Sequence, residues 1–316
     1  MASDVKKPGA PPEDERVKEM SAFRNMMIRP ELGAIAGTIL VFMLFLAIAR
    51  DTGMFSPEGV MTWTTVSAQF VIIAVGACLL MIAGEFDLSV GSMIGFAGIV
   101  IAITSVSWGW PVWLSILTAF TLAMTIGALN GYLVIKTGLP SFIVTLAFLY
   151  ILRGLTIFGA IATTRKTIIG GVREVAEGDW LAPFFGGKVF TGLFQWLADI
   201  GLIDTFSRGS RVGQPIVEGI PMLIVWAVAL IVFGHIVLTR TRFGNWIYAS
   251  GGDAQAARYA GVPVNRVKIM MFMFTAFCAT VFATAQVMEF GSAAADRGLL
   301  KEFEAIISVV IGGALL

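Results

Sequence analysis

Charge is scarce in this 316-residue chain: only 14% of its residues are Asp, Glu, Lys or Arg, against about 25% in a soluble globular domain. The 22 basic and 21 acidic residues leave a net charge of +1, so nothing in the bulk electrostatics favours nucleic acid or a strongly acidic partner. Histidine occurs once, at His235, which excludes a His-rich metal centre. Cysteine occurs twice, at Cys78 and Cys278. Both lie in apolar runs, where they read as small buried hydrophobes and not as a disulfide framework or a metal site. The phosphate loop G-x-x-x-x-G-K-[ST] is absent, so the chain cannot hydrolyse ATP alone. No paired acid and base, nucleophile or metal-ligand cluster stands out, which speaks against a membrane enzyme.

What the chain has in abundance is apolar surface. It is 57% hydrophobic with a mean hydropathy of +0.85, the signature of a polytopic membrane protein. A helix needs about 20 apolar residues to cross the hydrocarbon. Runs of that kind lie at Leu32 to Ala49, Thr64 to Ala83, Ser89 to Val106, Val112 to Ile135, Ser141 to Ile161, Ile220 to Leu238 and Ile269 to Val287, and an eighth begins near Ala305. The expected fold is therefore all-α, a bundle of about eight spans, because lipid offers no partner for an unpaired backbone group. The last run stops at Leu316, too short to cross, which suggests that further spans are missing from the chain.

Orientation follows from Lys and Arg in the short flanks. Residues 1–30 form a polar, Pro-containing tail with Lys6, Lys7, Arg16, Lys18, Arg24 and Arg29, too acidic for a cleaved signal peptide. Residues 239–268 carry Arg240, Arg242, Arg258, Arg266 and Lys268 against Asp253. Both segments belong in the cytoplasm. Five spans separate the tail from residues 162–219, which places that loop outside. Turns and a short helix from Val189 to Ile200 are expected there, either as a lid on the bundle or as a dock for an external partner.

The segment "MIAGEFDLSVGSMIG" sets Glu85 and Asp87 between two apolar runs, where an unpaired charge is costly. Gly84 invites a break, so the chain leaves one helix and enters the next. On one reading, Asp87 or Ser89 caps the following helix. On the other, the unwound backbone lines a solute pathway, with Glu85, Phe86, Asp87, Ser89, Gln69 and Arg153 as the candidate residues. Arg153 has three options: snorkelling outward, pairing with a carboxylate, or meeting solute. Ser67, Thr275, Thr280 and Gln286 offer further hydroxyl and amide groups, each also an ordinary interhelical partner. Gly91 and Gly95, and again Gly127 and Gly131, form close-packing G-x-x-x-G faces. The aromatics Phe70 and Trp110 lie at plausible depths, with span filling as their default role.

Between Ser250 and Pro263 the chain reads as a short helix punctuated at both ends, with Asp253 as N-cap, Ala254 to Ala260 as helix and Gly261 as the stop. Two turns of helix do not persist alone in water. This one is held either by its own bundle or by a groove on a separate cytoplasmic protein.

Four blocks, "GEFDLSVGSMIGFAG", "LPSFIVTLAFLYILRGL", "TRFGNWIYASGGDAQAARYAGVPVNRVK" and "EFEAIISVVIGGALL", together resemble the ribose/xylose-type sugar permeases of bacterial ABC importers. The first block of that family usually reads Gly-Gly-Ile-Asp-Leu-Ser, so Glu85 and Phe86 depart from it. The resemblance implies about ten spans in two related halves, with residues 31–316 as the transmembrane domain, and a weak alignment of Gly84–Leu88 with Gly312–Leu316 fits such a repeat. It also implies a coupling helix that receives a cytoplasmic ATPase, carried here by Asp253, Gln255, Ala256, Ala257, Arg258 and Gly261, with Gln255 in place of the usual Glu.

The resemblance further implies a homodimeric permease for a monosaccharide or polyol in the bacterial inner membrane. A periplasmic sugar-binding protein would deliver the solute, and ATP would be the partner ATPase's ligand, leaving this chain without a cofactor. The rival reading is a secondary transporter with Glu85 and Asp87 as a proton or sodium site.

Overall fold

The structure is a computed structural model that describes residues 30–206 and 212–314. The basic residues of the tail, residues 207–211 of the loop at 162–219, and Leu315 and Leu316 of the weak repeat lie outside the described residues. Helix α1 (Pro30–Ile48) is followed by α2 (Pro57–Ile82), α3 (Val90–Ala102), α4 (Val112–Thr137) and α5 (Ser141–Thr164). Then come β1 (Ile168–Gly170), α6 (Val172–Ala176), α7 (Pro183–Gly186), β2 (Lys188–Val189), α8 (Thr191–Asp199) and β3 (Ile220–Pro221). The chain continues through α9 (Met222–Arg240), α10 (Arg242–Gly252), α11 (Ala254–Tyr259), α12 (Val264–Phe290), β4 (Ser292–Ala294) and α13 (Lys301–Ile311). Among the described residues six helices are long and apolar enough to span a membrane: α2, α3 with the π-helical turn Ile103–Ser107 that extends it, α4, α5, α9 and α12.

The apolar runs thus become helices where expected, and three of these helices start early. The last helix starts at Lys301, before Ala305, α12 starts at Val264, before Ile269, and α2 starts at Pro57, before Thr64. The early start of α12 has a local cause. Pro263 ends the preceding loop, and a helix begins readily after proline, so Arg266 and Lys268 become part of a helix instead of loop charges. Proline sits at the same position before α4, α5 and α9, at Pro111, Pro140 and Pro221. Ser56 caps α2, its hydroxyl accepting the Gly59 N–H at 3.1 Å, with Pro57 at the first helical position.

Helix α12 is the axis of the bundle and packs on α2, α3 and α4. A β-carbon at Gly127 would lie 2.8 Å from the Phe272 carbonyl oxygen, and one at Gly131 would lie 2.8 Å from Ile269 Cα. The second G-x-x-x-G face therefore brings α4 backbone to backbone with α12, as such faces do. The first face meets the start of α13 at Gly91, where a β-carbon would overlap the Glu302 carboxylate and lie 2.4 Å from the Gly298 carbonyl oxygen. Gly95 instead faces the carbonyls of Ala295 and Arg297, so the loop from β4 to α13 runs back along α3 in the groove its glycines leave. Cys278 is buried against Gly76, Cys78 is half-buried, and both are free thiols.

The loop at 162–219 is more structured than turns and one helix. It contains α8 where a helix was expected, and β1 pairs antiparallel with β4, Ile168 opposite Ala294. Phe185 of α7 stacks on Trp226 at 5.4 Å and lies 6.0 Å from Phe120. Ile169, Val172 and Phe185 are buried, so this part of the loop is a lid on one end of the bundle. The break at 83–89 and helices α10 and α11 lie at the other end.

Candidate functional site

Helix α2 ends at Ala83, and Gly84 turns the chain with φ 81°, a conformation open to glycine and strained for most other residues. Residues 85–89 then run unwound, largely buried, to the start of α3 at Val90. A broken helix inside a bundle frees backbone groups that need partners. The Phe86 N–H donates to the Ser141 hydroxyl at 3.0 Å, and the Leu88 N–H donates to the Thr145 hydroxyl at 3.0 Å. The first turns of α5 thereby take over part of the pairing that a continuous helix would supply.

Asp87 is neither free nor a cap on the helix beyond. One carboxylate oxygen accepts the Ser89 N–H at 2.8 Å and the Ser89 hydroxyl at 2.5 Å, and Ser89 in turn accepts the Asn130 amide at 3.0 Å. Ser89 makes no side-chain cap to α3. The capping reading is corrected accordingly: Asp87 organises the turn before the helix, because the unwound segment puts the Ser89 N–H within its reach. Asn130, which the sequence reading passed over, links this turn to α4. Its Oδ1 and the Ser92 hydroxyl are buried without a hydrogen-bond partner, so the wall beside the break retains polar capacity.

Glu85 is bound too. Its carboxylate forms an ion pair with Lys268, and their side chains are 11% and 15% exposed. In the sequence Lys268 stands among the charges of the 239–268 loop, and only its position on the second turn of α12 shows whom it meets. With Glu85 held by a lysine and Asp87 by Ser89, the two carboxylates do not converge on a shared ion site. That removes the geometric basis of the proton or sodium reading.

The remaining candidates are scattered. Gln69 contacts Gln286 at 3.4 Å across α2 and α12. Phe86 is half-buried, and Ser67 is exposed. Thr275 and Thr280 donate to backbone carbonyls of their own helix at 2.9 and 2.8 Å, so their hydroxyls are already committed. Trp110 lies past the end of α3, edge-on to Trp108 at 5.5 Å, at the lid end of the bundle and away from the break. Phe70 carries the Lys301 ammonium over its ring at 4.4 Å. Arg153 is half-buried at a recess of about 260 Å³ that it shares with Thr167, Asp296 and Leu299. Nearby on α13, Glu302 is a carboxylate 2% exposed that presses on Gly91 at the start of α3, and its Oε2 is buried without a hydrogen-bond partner among the described residues.

Helix α11 forms as its punctuation dictates. Asp253 Oδ1 accepts the N–H groups of Gln255 and Ala256, both at 2.9 Å, and Gly261 turns out with φ 82°. Ala257 is 5% exposed and faces the bundle, whereas Gln255, Ala256 and Arg258 are exposed and Tyr259 is 84% exposed. Ala257 therefore holds the helix to its own protein and is not an outward contact. The helix thus packs on its own bundle through one face and leaves the other open.

The model of the family described as branched-chain amino acid transport system / permease component matches residues 59–315. The xylose transport system permease protein XylH of Escherichia coli (strain K12) is 31% identical over 303 residues, covering 88% of this chain and 77% of the relative. The probable ABC transporter permease protein y4mJ of Sinorhizobium fredii is 30% identical over 316 residues, covering 98% and 80%. The ribose import permease protein RbsC of Escherichia coli (strain K12) is 30% identical over 248 residues, covering 78% and 66%. No solved structure matches the chain. A helical bundle with a broken span, a small capped helix with one open face, and a family match over most of its length lead to one conclusion: the chain belongs to the branched-chain amino acid transport system / permease component family and is a permease subunit of an ABC transporter.

Proposed function

We propose that this chain forms the membrane path for a monosaccharide or polyol in a bacterial inner-membrane importer, with the break end of the bundle in the cytoplasm and residues 162–219 outside. The observation that carries the reading is α11: a helix of two turns, capped at Asp253, buried through Ala257 and open along Gln255, Ala256 and Tyr259. Its open face is the seat of a separate ATPase, and alternating access follows from that partner's preference for one of two arrangements of the bundle. The relatives named for xylose and ribose support a hydroxyl-rich solute. The unpartnered amide and hydroxyl oxygens of Asn130 and Ser92 beside the break support a weakly polar route for it. A second copy of the chain completes the path, and an external binding protein loads the solute against the lid.

Vesicles containing the permease and its ATPase provide the test. ATP-dependent uptake of labelled monosaccharide that persists when an uncoupler collapses the proton gradient is the expected result. Uptake that needs the gradient and no ATPase would overturn the reading, and ATP-driven uptake of branched-chain amino acids alone would reassign the solute.

A further inference from the structure

The short helix α11 is attached to the broken span on both of its flanks. On the near flank, the end of α10 lies backbone to backbone against the end of α2. A β-carbon at Gly251 would overlap the Ile82 carbonyl oxygen, and one at Gly84 would lie 3.3 Å from Gly251 Cα. On the far flank, Lys268 of α12 pairs with Glu85, the residue directly after Gly84. Between these two attachments, α11 is closed on the start of α12. The Val262 N–H donates to the Ala257 carbonyl at 2.9 Å, and the Arg258 guanidinium donates to Asn265 at 3.3 Å. The other side of the break is tied to α5 through Ser141 and Thr145, and to α4 through Asp87, Ser89 and Asn130.

We propose that the Lys268–Glu85 pair is a transmission latch: it carries displacement of α11 into residues 84–89, and so into the start of α3, without contacting the solute. The near-flank contact is backbone packing, which resists compression and gives no purchase when the helices separate. An ion pair largely removed from water holds in both directions, because parting two desolvated charges is costly. Pushing on α11 is therefore transmitted through Gly251, and pulling through Lys268. Glu85, the carboxylate that departs from the resembled motif, is a positioning residue and not part of the solute's route. This rests on the reading of α11 as the seat of an ATPase.

The permease–ATPase complex in vesicles tests it through four versions: unchanged, Glu85→Gln, Lys268→Gln, and the exchanged pair Glu85→Lys with Lys268→Glu. Each single variant is expected to co-purify with the ATPase and to hydrolyse ATP, with solute moved per ATP falling about tenfold, within the usual range of coupling between sites. The exchanged pair is expected to recover most of that ratio, which a solute-contacting role for Glu85 does not predict. Single variants with an unchanged ratio overturn the latch. So does an exchanged pair that folds and assembles yet stays uncoupled, or single variants that fail to fold while the exchanged pair folds normally, since the pair would then be a structural clamp. Loss of ATPase binding in the single variants also overturns it, by placing the pair in the docking surface. If the unchanged complex shows no ATP-driven uptake, it is the function reading that fails, before any variant is compared.

Discussion

At the scale of single residues, two kinds of position matter most: those where a side chain has no room and those where a charge is already spoken for. Gly127 sits against the Phe272 carbonyl with no space for a β-carbon, while nothing lies within 4 Å of the equivalent point at Gly154. Gly127→Val should push α4 from α12 and cost about 1–3 kcal/mol, the usual range for overpacking. Thermal unfolding in detergent should show a lower Tm for that variant and a nearly unchanged one for Gly154→Ala. Asp87→Ala would strip the acceptor from the Ser89 N–H and hydroxyl, both buried, at about 1–3 kcal/mol for the groups left unsatisfied. Reduced Tm together with reduced uptake per folded molecule is expected. A normal Tm with lost uptake would instead move Asp87 from the turn to the solute path.

At the scale of elements, α11 makes the sharpest forecast, because its two faces have opposite duties. Tyr259→Glu alters an open side chain and should weaken co-purification with the ATPase while leaving Tm within error. Ala257→Arg puts a long cation into a buried site and should lower Tm before it affects docking, since burying an unpaired charge is among the severe substitutions. Asp253→Ala removes two accepted hydrogen bonds and should cost about 1 kcal/mol of helix stability, read as faster amide exchange at residues 255–259. The limits of this helix were legible because Asp253, Gly261 and Pro263 are local signals. Which face it opens was not, since that depends on the α12 surface beneath Ala257.

For the whole molecule, the arrangement of ends is the feature to test. Helix alternation puts α11 and the break at one end, and the lid with its β1–β4 pair at the other. A membrane-impermeant thiol reagent should label Leu202→Cys from outside intact cells, and Tyr259→Cys only after permeabilisation; the reverse pattern would invert the orientation. Both native thiols are at least half-buried and offer little background. Much of this layout was readable from the chain. Apolar runs long enough to cross a bilayer become helices wherever they occur, since lipid leaves the backbone no other way to satisfy itself. The lid was only partly readable. Its strands are two or three residues long and exist because distant segments pair, Ile168 with Ala294 and Lys188 with Pro221.

The sequence by itself determined the membrane bundle, the approximate limits of its helices, the break at Gly84 and the capped helix after Asp253. Each of these is set within a few residues of chain, by hydrophobic length, by a glycine or proline, or by a side chain reaching its neighbour's N–H. Only the tertiary structure decided that Glu85 belongs to Lys268, that Asn130 joins the Asp87 turn, and that Gly91 and Gly95 receive the start of α13 and the segment before it. Those partners lie far apart along the chain and meet only once the helices have packed, and in a medium where an unpaired charge is costly that meeting determines what each charged residue does.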